Sequence, residues 1–357
     1  MVDSILCTNA SGLPVVHKST MAPHNEPVLF LWALSAWASK VTAYFALRNI
    51  PYSRCEQPIT QPRPDIAALG VKYRRIPLMS MGRDIYCDTL LIMEKLEELY
   101  PESKEHAKIS ASSPTDRALE KLLEKWTDVV VFKAAAAVIS TDLDLMKDPK
   151  FQSDREALWG RKWDQKTQNS LRPAALADMR ANWDFLEDIL RDGRQWILGG
   201  GGGKDEEGPK LADIHAAWIF DWLLMLPGSF PEDYFNEKRY PNVLGWRERY
   251  KTAIEKAKES APKPTELESA DCINKILDAG FEESNLQLED DDPSGLKAGE
   301  EIKMAPVDTG FTSSDVGKLI GLRGNEVTIS SLTQQGGKEI HIHYPRWNFR
   351  FDKVQLE

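Results

Sequence analysis

The sequence predicts an α/β N-terminal domain, then an all-helical domain, then a small mostly-β, barrel-like appendage. Three observations carry this. Residues 28–52 read as strand, helix, strand; residues 114–250 place apolar side chains at three- and four-residue spacing; residues 301–354 fall into short runs separated by glycine-rich turns. At 357 residues the chain exceeds one ordinary domain. The expected division is an extension over 1–25, the α/β domain over 26–101, the helical domain over 102–260, and a helix plus β module over 261–357.

In the first domain Val28-Leu29-Phe30-Leu31-Trp32 is an apolar strand, a helix follows from about Ser35 to Asn49, and Ile50-Pro51-Tyr52 opens a second strand. A loop with Pro58, Pro62 and Pro64 leads to Arg75-Ile76-Pro77-Leu78-Met79, a hairpin at Gly82-Arg83-Asp84, and a helix from Asp88 to Pro101. Proline cannot donate to a strand ladder, so Pro77 predicts an edge strand or a functional bend. Ser113 can cap the next helix, and Pro114 suits its first position. Leu119, Leu122, Leu123, Trp126 and Val130 then predict one apolar face, and Ala134 to Ala137 a close helix approach. A second long helix over Leu171 to Arg191 carries Leu176, Met179, Trp183, Leu186 and Leu190 on one side. Gly199 to Gly203 and Lys204 predict a flexible surface loop; Asp205 stands where a phosphate loop needs Ser or Thr, so that motif fails. Leu211 begins a helix with Trp218, Trp222 and Leu226 on a common face. One more helix is expected within 263–281, and strands at 301–305, 318–322, 326–330, 339–344 and 348–354.

Four segments in order resemble the N-terminal thioredoxin-like domain of the glutathione transferases. They are Ser35-Ala36-Trp37-Ala38-Ser39-Lys40-Val41, Asn49-Ile50-Pro51-Tyr52, Ile76-Pro77-Leu78 and Asp88-Thr89-Leu90-Leu91-Ile92. Asp213 and the segment Tyr240 to Trp246 extend the resemblance to about residue 258, with Lys210 where that family places a Ser or Thr cap. Similar β appendages follow a transferase body in some fungal proteins. The resemblance implies a cytoplasmic enzyme with glutathione as cosubstrate, a small hydrophobic electrophile as acceptor, and a homodimer as the common assembly. The acceptor class it implies is a fungal secondary metabolite or a xenobiotic. Attack of the glutathione thiolate on carbon leads either to conjugation or to cis-trans isomerisation of an activated alkene, and the sequence leaves both open. The alternative is a non-catalytic binding or scaffold protein on the same fold.

The same resemblance assigns the site. Ser35, at the start of the first helix, stands where the serine-type enzymes carry the residue that donates to the sulfur, while the helix N-terminus favours the negative charge. A plain helix cap is the competing role, and Ser39 is the rival residue. Ile76 is the backbone contact for the cysteinyl part, ahead of a cis Pro77. Arg75 matches a position used for the glycine carboxylate, although a solvated arginine beside Lys72 and Arg74 is the competing role. Asp88 and Thr89 replace a Glu-Ser pair that holds the γ-glutamyl end, or form an ordinary cap. Trp37, Trp126, Val130, Phe132 and Lys133 are the candidates for the acceptor pocket between the domains.

Composition narrows the rest. Forty-five basic against 55 acidic residues argues against nucleic acid as the main partner. Cys7, Cys55, Cys87 and Cys272 form no paired motif, which suits a reducing compartment and gives no metal framework. The opening Met1-Val2-Asp3-Ser4-Ile5-Leu6 lacks a basic region followed by a sustained apolar run, so no signal peptide is expected. No apolar run reaches membrane-spanning length. His341 and His343 share a strand face, but with no third ligand nearby in sequence no metal site is expected.

Overall fold

The computed structural model describes residues 25–199, 208–334 and 336–354. Nearly all of the expected N-terminal extension, and most of the five-glycine loop, lie outside the described residues. The N-terminal domain runs β1 (Val28–Leu31), α1 (Ala36–Arg48), β2 (Ser53–Glu56), α2 (Pro64–Ala68), β3 (Leu78–Met81), β4 (Asp84–Cys87) and α3 (Thr89–Leu99). Helices follow as α4 (Pro114–Lys125), a π-helical segment Trp126–Val131, α5 (Phe132–Val138), α6 (Asp144–Lys147), α7 (Pro149–Trp159), α8 (Gln165–Leu190), α9 (Leu211–Met225) and α10 (Pro241–Ser260). The chain then forms β5 (Thr265–Glu266), α11 (Ser269–Asp278), β6 (Glu301–Pro306), β7 (Asp315–Leu322), β8 (Glu326–Leu332), β9 (Glu339–Pro345) and β10 (Phe349–Lys353).

All ten strands belong to one sheet, ordered β10-β6-β7-β8-β9-β4-β3-β1-β2-β5. The C-terminal strands are thus continuous with the N-terminal sheet, joined where β9 runs parallel to β4 with Ile85 opposite Ile342. Both faces are covered, which is why β1 reads as an unbroken apolar run. Leu29 and Leu31 pack with α1, α3 and the helical region; Val28 and Phe30 pack with Ile66 of α2, Cys272 and Ile276 of α11, and the C-terminal strands. Among the described residues no helix is long and apolar enough to cross a membrane.

Two expectations are corrected here. Pro77 does not mark an edge: β3 begins one residue later and lies between β1 and β4 inside the sheet. Nor does α4 bury Leu119 and Leu122, which are 42% and 62% exposed, while Glu120 and Glu124 turn inward. Each buried carboxylate has a partner: Glu120 accepts from the backbone of Ala111 at 2.8 Å, and Glu124 meets the Lys40 amino group at 3.1 Å. A satisfied polar group overrides the apolar pattern. The Lys210 departure leaves α9 anchored, because Asp213 accepts from the backbone N–H groups of Lys210 and Ile197 and from the Trp246 indole, each within 2.9 Å.

Candidate functional site

A cavity of about 510 Å³ lies where the N-terminal domain meets the helical region, and a segment of the C-terminal extension forms part of its wall. Ser35, Arg75, Ile76, Pro77, Asp88 and Thr89 all line it, as does Trp37. The sheet explains the convergence: β1 ends at α1, and β3 and β4 lead from Pro77 to α3, so both helix N-termini open on the same side. The Ile76–Pro77 bond is cis.

Ser35 is the N-cap of α1. Its backbone N–H donates to Trp32 at 2.9 Å, and its Oγ accepts from the Ala38 N–H at 3.4 Å. A hydroxyl that accepts in this way keeps its own proton free to donate, and no acidic residue in the first turn of α1 offsets the positive helix end. Ser39 is already spent, since its hydroxyl donates to the Ala36 carbonyl at 2.7 Å.

Arg75 and Asp88 bind each other. Arg75 Nη2 meets Asp88 Oδ2 at 2.9 Å, Nη1 meets Asp308 Oδ1 at 3.0 Å, and Nε donates to the Tyr73 hydroxyl at 2.8 Å. The guanidinium lies over the rings of Tyr73 and Phe349, 5.2 and 5.3 Å from their centroids. Burial opposes its charge, but Tyr73, Asp88 and Asp308 overcome this and raise its pKa. Asp88 also caps α3, accepting from the Leu90 N–H at 3.2 Å, and adopts a positive φ of 73°. Thr89 is buried, and its Oγ1 is 3.4 Å from the Lys40 amino group.

Lys40 heads a buried polar cluster behind this wall. Its ammonium reaches Glu124 at 3.1 Å and Asp128 at 3.2 Å, between the rings of Trp37 and Trp218 at 6.0 Å each. Burial lowers the lysine pKa, yet Asp128 and Glu124 raise it by more. One cation faces two carboxylates, and burial pushes Asp128 up to about 8. His215, 3.4 Å from Glu124, is held far below its usual value by burial and by Lys40.

The remaining cavity wall is aromatic and aliphatic. Phe132, Trp159, Trp163 and Trp222 join Trp37 there, with Phe132 and Trp159 stacked at 6.0 Å and Trp159 and Trp163 at 5.6 Å. Trp126, Val130 and Lys133 are corrected: none lines the cavity. Trp126 donates to Asn182 and packs on Phe185 and Phe220, while Val130 and Lys133 face outward. The physical reason is the π-helical segment at Trp126–Val131, whose wider turn slips the phase of a continuous 3.6-residue pattern. Sequence reasoning missed Asp308 and Thr309, which reach the cavity from beyond β6, and it missed Tyr73. No local pattern marks Asp308 as a partner for a residue 233 positions away.

His341 and His343 do have a third group beside them, contrary to the expectation: Asp84 of β4 lies 3.1 and 2.9 Å from their ring nitrogens. The other nitrogen of His343 meets Glu326 at 2.6 Å, and Glu326 pairs with Lys95 at 2.8 Å. His343 lies between Asp84 and Glu326, and Lys95 adds a second contact to Glu326.

Residues 29–104 match the glutathione S-transferase N-terminal domain. Residues 134–259 match a family described as a domain of unknown function (DUF7962). Among solved structures, a glutathione transferase-like protein from Pseudomonas syringae aligns with a TM-score of 0.66 at 24% identity, covering 92% of this chain and 100% of that one. A glutathione S-transferase from Sinorhizobium meliloti aligns with a TM-score of 0.50 at 16% identity, over 66% of this chain and 93% of that one. No curated protein matches the chain. The fold is therefore a thioredoxin-like glutathione transferase N-terminal domain, a helical region, and a C-terminal strand-rich sheet.

Proposed function

We propose that the protein is a serine-type glutathione transferase that activates the thiol of glutathione for attack on a hydrophobic electrophile. The observation that carries this reading is Ser35: an N-cap hydroxyl with its proton uncommitted to the backbone, on the cavity wall it shares with Ile76 and Thr89. Free thiols titrate at about 8.5, so at neutral pH a hydroxyl donor and a positive helix end both favour the thiolate. The thiol proton leaves to solvent, the sulfur lone pair forms the C–S bond, and Ser35 keeps its proton throughout as a hydrogen-bond donor. Loss of a leaving group, or protonation of the adjacent carbon, gives the conjugate. With an activated alkene, rotation about the saturated bond followed by expulsion of the thiolate gives the isomer.

The aromatic wall supports a flat apolar acceptor, and a secondary metabolite or xenobiotic fits that class. A second reading, a glutathione-fold binding protein without turnover, draws on one observation: Arg75 and Asp88 satisfy each other rather than standing open. Calorimetric titration of glutathione, with the thiolate followed by ultraviolet absorption across pH, separates the two. Binding with a depressed thiol pKa that rises in Ser35→Ala supports the enzyme. Binding without a thiolate shift keeps the ligand site but takes the catalytic role from Ser35 and favours the second reading, and no binding at millimolar ligand overturns the transferase reading and leaves a scaffold on the same fold.

A further inference from the structure

The subsite at Arg75 is built jointly by two distant parts of the chain. Asp308 belongs to the turn between β6 and β7, and that turn is held on both sides. Val307 donates its N–H to the Asn348 carbonyl at 3.0 Å, and Gly310 donates to the Leu158 carbonyl of α7 at 2.7 Å. Gly310 has a φ of +71°, and a Cβ there would meet Arg74 Cγ at 3.0 Å, so the tight approach of this turn to the N-terminal domain favours glycine. Asp315, at the start of β7, accepts from the backbone N–H groups of Lys72 and Tyr73 and so fixes the segment leading into Arg75. Phe349 of β10 covers the guanidinium face. Asp308 is thus presented by a braced turn at the cavity wall.

Charge decides the consequence. Arg75 supplies one positive charge, and Asp88 and Asp308 supply two negative ones within 3.0 Å of it. All three nitrogens of the guanidinium already have partners. A ligand carboxylate arriving there meets a cation that is over-neutralised, and at close range a like charge near a partly buried pair is opposed by an amount on the order of a tenfold change in affinity.

We propose that Asp308, delivered by the C-terminal extension, is a specificity-determining residue that weakens the hold of Arg75 on a free carboxylate and so narrows the preference of this subsite for glutathione over a thiol peptide uncharged at that end. The proposal rests on the glutathione reading above and on Arg75 facing the glycine end of the peptide. It turns the extension from an appendage into part of the selection machinery.

The test compares glutathione with its glycyl ethyl ester, titrated calorimetrically into the full-length wild type, Asp308→Asn and Asp308→Glu. The readout is the ratio of the two dissociation constants. In Asp308→Asn the ratio shifts about tenfold toward glutathione, because the neutral amide keeps a hydrogen-bond acceptor for Arg75 and removes the opposing charge. In Asp308→Glu, which restores the charge, the ratio returns to within about twofold of wild type, and that rescue excludes a merely structural effect. A ratio unchanged in Asp308→Asn, or an equal loss of affinity for both ligands, overturns the proposal while leaving glutathione binding intact. Failure of both ligands to bind any of the three proteins at millimolar concentration overturns the glutathione reading instead.

Discussion

Nε2 of His343 lies 2.9 Å from Oδ1 of Asp84 although 259 residues separate them, and Nδ1 of the same ring lies 2.6 Å from Glu326. Both nitrogens donate only if the ring is an imidazolium. Burial works against that charge, but the bonds to Asp84 and Glu326 raise the pKa from 6.5 to about 9. The folded value lies above the unfolded one, so the stabilisation is complete below pH 6.5 and is lost as pH rises through 9. A shift of this size corresponds to about 3 kcal/mol. Denaturant unfolding of His343→Gln is expected to show a deficit of about that size at pH 6, shrinking from about pH 6.5 upward and nearly gone above pH 9. A deficit that stays constant to pH 10 contradicts the ionic account.

Lys40→Met leaves the buried Glu124 and the half-buried Asp128 without their cation, and the expected loss is about 3–5 kcal/mol. The loss depends on pH. Asp128 already titrates at about 8 because of burial, against 3.8 unfolded. A raised carboxyl stabilises least as pH climbs toward its folded value, and removing Lys40 raises it further. The deficit should therefore be larger at pH 8 than at pH 5, as measured by urea unfolding at the two values.

Ser35→Ala removes the donor to the sulfur and should cost about 10- to 100-fold in kcat/KM toward an activated aryl halide, the worth of one hydrogen bond to a charged group. Affinity for S-methylglutathione, which has no thiolate, should change less than about threefold. Equal losses in rate and in S-methylglutathione affinity would assign Ser35 a capping role only.

The acceptor wall can be tested by contrast. Trp159→Ala opens the stacked face it shares with Phe132 and Trp163, and should weaken a planar apolar inhibitor about tenfold. Val130→Ala, on the outer surface, should leave that affinity unchanged. The reverse pattern would place the acceptor on the other side of the π-helical segment.

Much of the architecture was legible because its causes are local. The five C-terminal strands fall within a few residues of their expected bounds, since alternation and glycine turns act over short distances. Ser35, Ile76, Thr89 and Trp37 lie together because helix starts and strand ends announce themselves in sequence. What local pattern could not show was pairing across the chain. Arg75 reads as a ligand-facing arginine in sequence, whereas the structure places Asp308 beside it, and no sequence signal marks Glu124 as the buried partner of Lys40. Trp126 and Val130 were misplaced for a different reason: one π turn breaks the phase on which a helical face is drawn.

The parallel junction of β4 with β9 has a bearing on how this protein is made. At a synthesis rate of about 5–20 residues per second, β4 leaves the ribosome roughly ten to fifty seconds before its neighbour exists. During that interval its outer row of amide and carbonyl groups is open to any extended segment nearby, which is the geometry that seeds misassociation. A nascent chain of this protein therefore carries β4 as an open sheet edge until β9 has been synthesised.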